Sequence, residues 1–97
     1  MTKNTHGNVA RLGTAQNATY TTTAASPAAA VGAGVSRVRV LVTTDAWITV
    51  GKNPTATTSA STYLPALMPE YVIVNPGENI SAVQVSATGV LNVTEAD

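Results

Sequence analysis

The sequence predicts a small antiparallel β-sandwich, jelly-roll or Ig-like, of about seven or eight strands behind an extended N-terminal arm. Three observations predict it. Valine-rich stretches alternate apolar and polar residues with the period of two of a half-buried strand. Turn residues separate these stretches at roughly 8–12-residue spacing, as in sandwiches and small barrels. The short alanine-rich stretch 28–31 is followed by Gly32 and Gly34, which stop a helix there, so no helix is required anywhere.

Residues 1–16 mix Asn, Thr, Gly and Gln around isolated Val9 and Leu12 and read as the arm, with 17–97 as the sandwich domain. The Thr-rich run 17–25 favours extended backbone through its β-branched side chains and predicts the first strand, ended by Pro27. Residues 28–31 predict a second short strand running into a loop, with the pair of glycines making a turn. Between Ser36 and Thr43, Val38, Val40 and Val42 form one face and Arg37, Arg39 and Leu41 the other, so the valine face is expected to point into the core. The short link Thr43-Thr44-Asp45 predicts a hairpin into AWITVG, which Gly51 ends.

Residues 52–62 (KNPTATTSAST) read as an exposed loop long enough to be a contact element. Pro65 and Pro69 restrict the segment 63–68 to a short edge strand or an extended crossing. Residues 70–75 predict a further strand. Asn75-Pro76-Gly77-Glu78 predicts a type II turn, because Pro presets φ at the second position and Gly supplies positive φ at the third. Residues 79–87 and 90–94 predict the last two strands.

Composition bounds the function. With 97 residues the chain is one domain, expected to bury roughly 60–68% of its unfolded surface, and its core is light because it has no Phe and only Tyr20, Trp47, Tyr63 and Tyr71 as aromatics. Five basic and five acidic residues leave no net charge and no cationic run to neutralise phosphates, so no nucleic-acid partner is expected. Charged residues are 10% of the chain, against about 25% in typical soluble domains. The surface is therefore rich in uncharged Thr, Ser, Asn and Ala, which suits close packing against other proteins. The absence of cysteine removes disulfides and thiolate chemistry. With no apolar run of about 18 residues and no secretory signal, the sequence predicts no membrane partner and synthesis in a cytoplasm.

The search for chemistry predicts no enzyme, cofactor or metal site. His6 is the single histidine and stands in the arm, without a partner to tune it. Glu70 and Glu78 flank one strand, but beside proline turns their ordinary role is to keep strand ends solvated. Gly32-Ala33-Gly34 lacks the lysine and helix of a phosphate-binding loop. Contact surfaces remain. Arg37 and Arg39 are either solvated or anchors of an interface. Trp47 is expected to fill the interior, with an exposed contact patch as the alternative. Lys52, Asn53 and Tyr63 complete the interface candidates. Few lysines protect the sheet edges, so partners or neighbouring subunits are expected to cover them by strand addition.

Several motifs occur in order between Val35 and Ala96: Gly51-x-x-Pro54-Thr55-Ala56, Leu64-Pro65 with Pro69-Glu70-Tyr71, Pro76-Gly77, and Gly89-x-Leu91-x-Val93-Thr94-Glu95. This order resembles small structural proteins encoded among the virion genes of tailed bacteriophages and prophages. The resemblance implies a virion component, most specifically a capsid decoration or cement protein. It implies the major capsid protein and copies of itself, as a dimer or trimer, as partners. It places the protein on the capsid surface of the virion, after synthesis in the host cytoplasm. A head–tail joining or tail-fibre component, and a carbohydrate- or receptor-binding sandwich using Tyr63 and Trp47, are the alternatives.

Overall fold

A computed structural model describes residues 12–96. It has seven strands and no helix: β1 (Leu12–Tyr20), β2 (Arg37–Val42), β3 (Ala46–Gly51), β4 (Thr62–Leu64), β5 (Glu70–Ile73), β6 (Asn79–Gln84) and β7 (Gly89–Ala96). They form two antiparallel sheets, one in the order β1-β7-β2-β5 and the other β4-β3-β6. The two sheets enclose the core between them, as the sequence predicts. Residues 1–11 of the expected arm, His6 included, lie outside the described residues.

The pairings are nested. β1 pairs with β7, β2 with β5 and β3 with β4. Between the first two pairs, Ala25 and Ala82 exchange both backbone hydrogen bonds at 2.9 Å. The chain is thus one long antiparallel ribbon folded over so that successive pairs alternate between the sheets. That is the jelly-roll arrangement, with the strand expected beside β6 reduced to the single bridge at Ala25. The Ig alternative does not hold, because β1 and β2 are not neighbours.

Several expected boundaries change. The first strand starts at Leu12 rather than residue 17, because pairing with Ala96 and Thr94 draws the Gly-, Ala- and Gln-containing segment into the sheet across a bulge. It stops at Tyr20 because the Thr-rich run after it crosses to the other sheet, where the Thr21 carbonyl accepts from the Gln84 amide at 3.0 Å. Residues 28–31 form no strand. The Gln16 side-chain amide holds Ala29 instead, donating to its carbonyl at 3.0 Å and accepting from its N–H at 3.1 Å. The predicted strands 70–75 and 79–87 end early, at Ile73 and Gln84, and the last runs from Gly89 to Ala96.

The link 43–45 is not a hairpin: β2 and β3 lie in different sheets. Their apolar faces meet across the core instead of lying side by side, since Val38, Val40 and Val42 are fully buried and face a sheet that buries Ala46 and Ile48. Each such aliphatic side chain contributes about 1.5–3 kcal/mol on full burial, Ala less. The arch is held by Tyr20, whose hydroxyl donates to the Thr44 carbonyl at 2.5 Å and accepts from its N–H at 3.2 Å.

The two predicted turns hold. Gly77 has φ +87° and the Glu78 N–H donates to the Asn75 carbonyl at 3.1 Å. Gly34 has φ +80°, with the Val35 N–H donating to the Gly32 carbonyl at 3.3 Å. In both, glycine stands where an L side chain would be strained.

Candidate contact faces

The six residues singled out from the sequence fall into three places. Arg37 and Arg39 lie on the outer face of the four-stranded sheet, half-buried, alternating with the buried valines of β2. Register sets Ile73 opposite Arg37 and Tyr71 opposite Arg39, and cross-strand partners share a face. The Arg37 guanidinium sits 5.9 Å from the centre of the Tyr71 ring, within the range of a cation–π contact. On the other side of β2, Thr94 and Ala96 continue these rows, and Leu12 lies opposite Ala96. Next along the face, the Asn92 amide donates to Asn17 at 2.8 Å and Thr94 Oγ1 donates to Asn92 at 3.0 Å. The face is therefore a broad polar ladder bordered by two arginines and by the exposed Tyr71, Ile73 and Leu12.

Trp47 and Tyr63 lie on the outer face of the three-stranded sheet. The expectation that Trp47 fills the interior is not met: Ala46 and Ile48 take the inward positions of β3 and Trp47 is half-buried outside. Tyr20 is the aromatic of the core instead, with no exposed surface. Trp47 meets Tyr63 edge to face, ring centres 5.2 Å apart at 80°. Tyr63 donates its hydroxyl to the Asp45 carboxylate at 2.5 Å, and the Ala66 N–H donates to the other carboxylate oxygen at 2.8 Å.

These bonds perturb both acids. The Tyr63 hydroxyl, then the Ala66 amide, hold Asp45 below the ordinary aspartate range. The same bond to Asp45, reinforced by desolvation and by its charge, raises Tyr63 above the ordinary tyrosine value. A carboxylate held low in the folded state stabilises the fold above its unfolded pKa of about 4 and loses that contribution as pH falls through the folded value. Tyr63, held high, stabilises below its unfolded pKa of about 10 and loses that contribution as pH rises beyond it. Thermal unfolding followed across pH is therefore expected to show an acid decline below about pH 4 that is shallower in Asp45→Asn. An unchanged acid limb in that variant would show that the carboxylate has no such role.

Lys52 and Asn53 stand at the start of the loop between β3 and β4, exposed, away from both aromatics and arginines along the chain, with Asn53 at φ +54°. The left-handed region is one that asparagine tolerates better than most residues. The loop is mostly exposed, as expected, yet it is anchored. Ala56 is buried and its N–H donates to Ser81 Oγ at 2.9 Å, while Ser61 Oγ lies 2.6 Å from Thr49 Oγ1. The loop thereby covers part of the outer face of its own sheet, which explains why Ser81 is buried on that side.

Of the two glutamates considered for acid–base chemistry, Glu78 is engaged within its own turn. Glu78 accepts from the Asn75 N–H at 2.8 Å. The Gly32 N–H, in the Gly32-Ala33-Gly34 turn, donates to Glu95 Oε2 at 3.0 Å. Among the described residues no three His, Asp or Glu side chains are grouped to hold a metal.

Sequence reasoning missed Ile73 and Asp45. Ile73 is 84% exposed on β5, an edge strand that nothing in the sequence marked as an edge, and only the register with β2 brings it to the arginines. Asp45 sits beside Tyr63 only because the arch and β4 converge.

The fold and its surfaces define a two-layer jelly-roll sandwich with a candidate contact face on each sheet. Comparisons with protein-family models, curated proteins and solved structures find no match.

Proposed function

We propose that this chain is a structural part of a tailed-bacteriophage virion, a capsid decoration or cement protein that binds the assembled head as a homo-oligomer. The observation that carries the reading is the outer face of the four-stranded sheet, where Arg37, Arg39, Tyr71 and Ile73 adjoin across β2 and β5. Arginine and tyrosine are the side chains that most often anchor protein interfaces, and charged residues other than arginine are depleted there. The motif order in β3 to β7 adds the resemblance to virion proteins. The nested jelly-roll order adds an analogy of fold alone, since such sandwiches recur in capsid and lectin domains. The partner is the major capsid protein, and the site of action is the capsid surface. A protein that binds only the mature lattice stabilises it by mass action, so many weakly bound copies suffice. Head–tail joining and tail-fibre roles draw on the same kind of surface.

Co-sedimentation with empty mature heads tests the reading. Wild-type protein is expected to pellet with heads and to raise their resistance to heat, and Arg39→Glu with Tyr71→Ala to weaken binding by about thirtyfold or more, the loss of one hot spot of about 2 kcal/mol. Circular dichroism should show both variants folded. Failure of the wild type to bind, or particles equally stable without it, would sink the proposal.

The Trp47, Tyr63 and Asp45 cluster favours a second reading, a glycan- or receptor-binding module, because an exposed tyrosine and a half-buried tryptophan beside a carboxylate offer both stacking and hydrogen bonding to a sugar. Glycan binding that Trp47→Ala abolishes, with no binding to heads, would favour it over the first.

A further inference from the structure

We propose that the outer edge of β5 pairs with the same edge of a second copy of this chain, antiparallel about a two-fold axis at Val72, joining the two four-stranded sheets into one. The pairing deepens the homo-oligomeric part of the reading above, but its support comes from the strand edge.

β5 is the last strand of its sheet, and among the described residues no strand pairs with its outer side. Which of its backbone groups face outward follows from one bond. The Val74 N–H donates to the Ser36 carbonyl at 3.0 Å, one step beyond the pair of Ile73 with Arg37. Residues that exchange hydrogen bonds with the neighbouring strand alternate in an antiparallel ladder. Val72 and Glu70 therefore share the parity of Val74 and turn their N–H and C=O toward β2. Tyr71 and Ile73 turn theirs outward.

That parity selects a register. With Val72 opposite Val72 of the second copy, Tyr71 stands opposite Ile73 of that copy and Ile73 opposite its Tyr71. All the outward N–H and C=O groups of both residues are then used. Shifting so that Tyr71 faces its own counterpart sets Ile73 against Pro69, which has no N–H. Shifting the other way, so that Ile73 faces itself, sets Tyr71 against Asn75, beyond the end of the strand. The edge is self-complementary in one register.

The side chains agree with it. The outer-face rows become Arg39, Tyr71, then Ile73 and Arg37 of the second copy, so the joint sets the 84% exposed Ile73 of each copy beside the 43% exposed Tyr71 of the other and continues the same face across both copies. The arginines of the two copies are three strand spacings apart, roughly 14 Å, beyond the screening length of about 8 Å at physiological salt. Glu70 is the one charged residue of β5 and opposes Val74, not its own counterpart. No lysine blunts this edge, which natural monomers usually provide.

Two further features lie beside it. Leu67, in the link leading into β5, has φ +61° and is 69% exposed, next to the exposed Met68. A leucine in the left-handed region is strained, and strain of this kind concentrates at functional positions. An open cleft of about 380 Å³ lined by Ile48, Val50, Thr62 and Val72 opens between the sheets on the same side. The nine-residue edge of β1 is the competitor. It exposes mainly Gly, Thr, Ala and Asn, and the Gln16 amide already ties it to residue 29.

The test uses the full chain. In sedimentation equilibrium the wild type is expected to form dimers, and Ile73→Lys, at a position exposed enough to leave folding unchanged, to raise the dimer dissociation constant at least tenfold. The chain has no cysteine, so Val72→Cys reports the register directly. Facing residues of a non-hydrogen-bonded pair have Cα atoms about 4.5 Å apart, within disulfide reach. Oxidised Val72→Cys should run as a covalent dimer, and Ile73→Cys, whose counterpart is displaced along the strand, should not. A wild type monomeric up to about 1 mM, a dimer that Ile73→Lys leaves intact, or a monomer whose Tyr71 and Ile73 amides are protected from exchange by another segment would each overturn the pairing. A monomer that still binds heads would overturn it while sparing the virion reading, and a β5-paired dimer that ignores heads would do the reverse.

Discussion

Tyr20→Ala is expected to cost about 3–5 kcal/mol, a large part of the 5–15 kcal/mol that holds a typical domain folded. Tyr20 is the aromatic of the core and has no exposed surface, and the side chains around it are Val, Ile, Leu and Ala. In a core this light no neighbour is long enough to collapse into the space a phenol ring leaves. The hydroxyl has its own task, since it both donates to the Thr44 carbonyl and accepts from the Thr44 N–H, tying the arch between β2 and β3 to the end of β1. Tyr20→Phe keeps the ring and removes those bonds, so it should cost about 1–2 kcal/mol. Chemical denaturation of the three proteins separates the two contributions. A cost below about 1 kcal/mol for Tyr20→Ala would mean that the ring is not a central part of the core.

The second large effect is expected from one methyl group. A Cβ at Gly89 would lie 2.5 Å from the Tyr20 hydroxyl and 2.8 Å from the ring carbon that bears it, and would also press on Thr44 Oγ1. Gly89 opens β7 directly opposite Tyr20 in register, and Thr44 Oγ1 is itself committed to the Ala87 carbonyl at 2.9 Å. None of these atoms is the loose end of a surface side chain, so Gly89→Ala must shift the ring or the strand. Overpacking of this kind costs about 1–3 kcal/mol, and the close approach at three atoms puts the expected value in the upper half of that range. The mechanism makes a further demand on the double variant. With Tyr20→Phe already in place, the nearest ring substituent is gone and the Thr44 link is already broken. Gly89→Ala should then cost less than it does alone, by at least about 0.5 kcal/mol. Simple additivity in denaturation would show that the methyl group is accommodated elsewhere.

Much of the fold was legible because it rests on local chemistry. The alternation of Val38, Val40 and Val42 with Arg37, Arg39 and Leu41 settles which side of β2 is buried, since moving the valines out would expose three apolar side chains and bury two guanidinium groups. The turns at Gly34 and Gly77 were legible for a similar reason: positive φ is a demand on a single residue, and glycine meets it without strain. Pro65 and Pro69 limited residues 63–68 to a short edge strand or a crossing, and β4 (Thr62–Leu64) is such a strand at the end of its sheet, because proline cannot donate to a ladder.

Other features do not reside in any one segment. Both faces of β3 carry apolar residues, and size alone puts Trp47 inside. It stands outside because the inward positions face the packed valines of β2, and Ala46 and Ile48 fit the separation of two sheets that a tryptophan would force apart. The link 43–45 is short enough for a hairpin or for an arch. The arch forms because the valine face of β2 and the Ala46–Ile48 face of β3 bury more surface by facing each other. The segment 12–16 has little strand propensity of its own and becomes part of β1 through its partners on β7.

The contact faces divide in the same way. Arginines at positions 37 and 39 on one face of β2 follow from residue type and alternation, whereas the edge position of β5 does not. Their meeting with Tyr71 and Ile73, and the junction of Asp45, Tyr63 and Trp47, depend on strand register between segments distant in the chain. Residue chemistry acts over a few bonds and specified strands, turns and the buried valine face. Register, sheet membership and the makeup of each surface depend on which long-range pairings together bury the most apolar area while leaving no buried backbone group without a partner, and that is a property of the assembled sandwich.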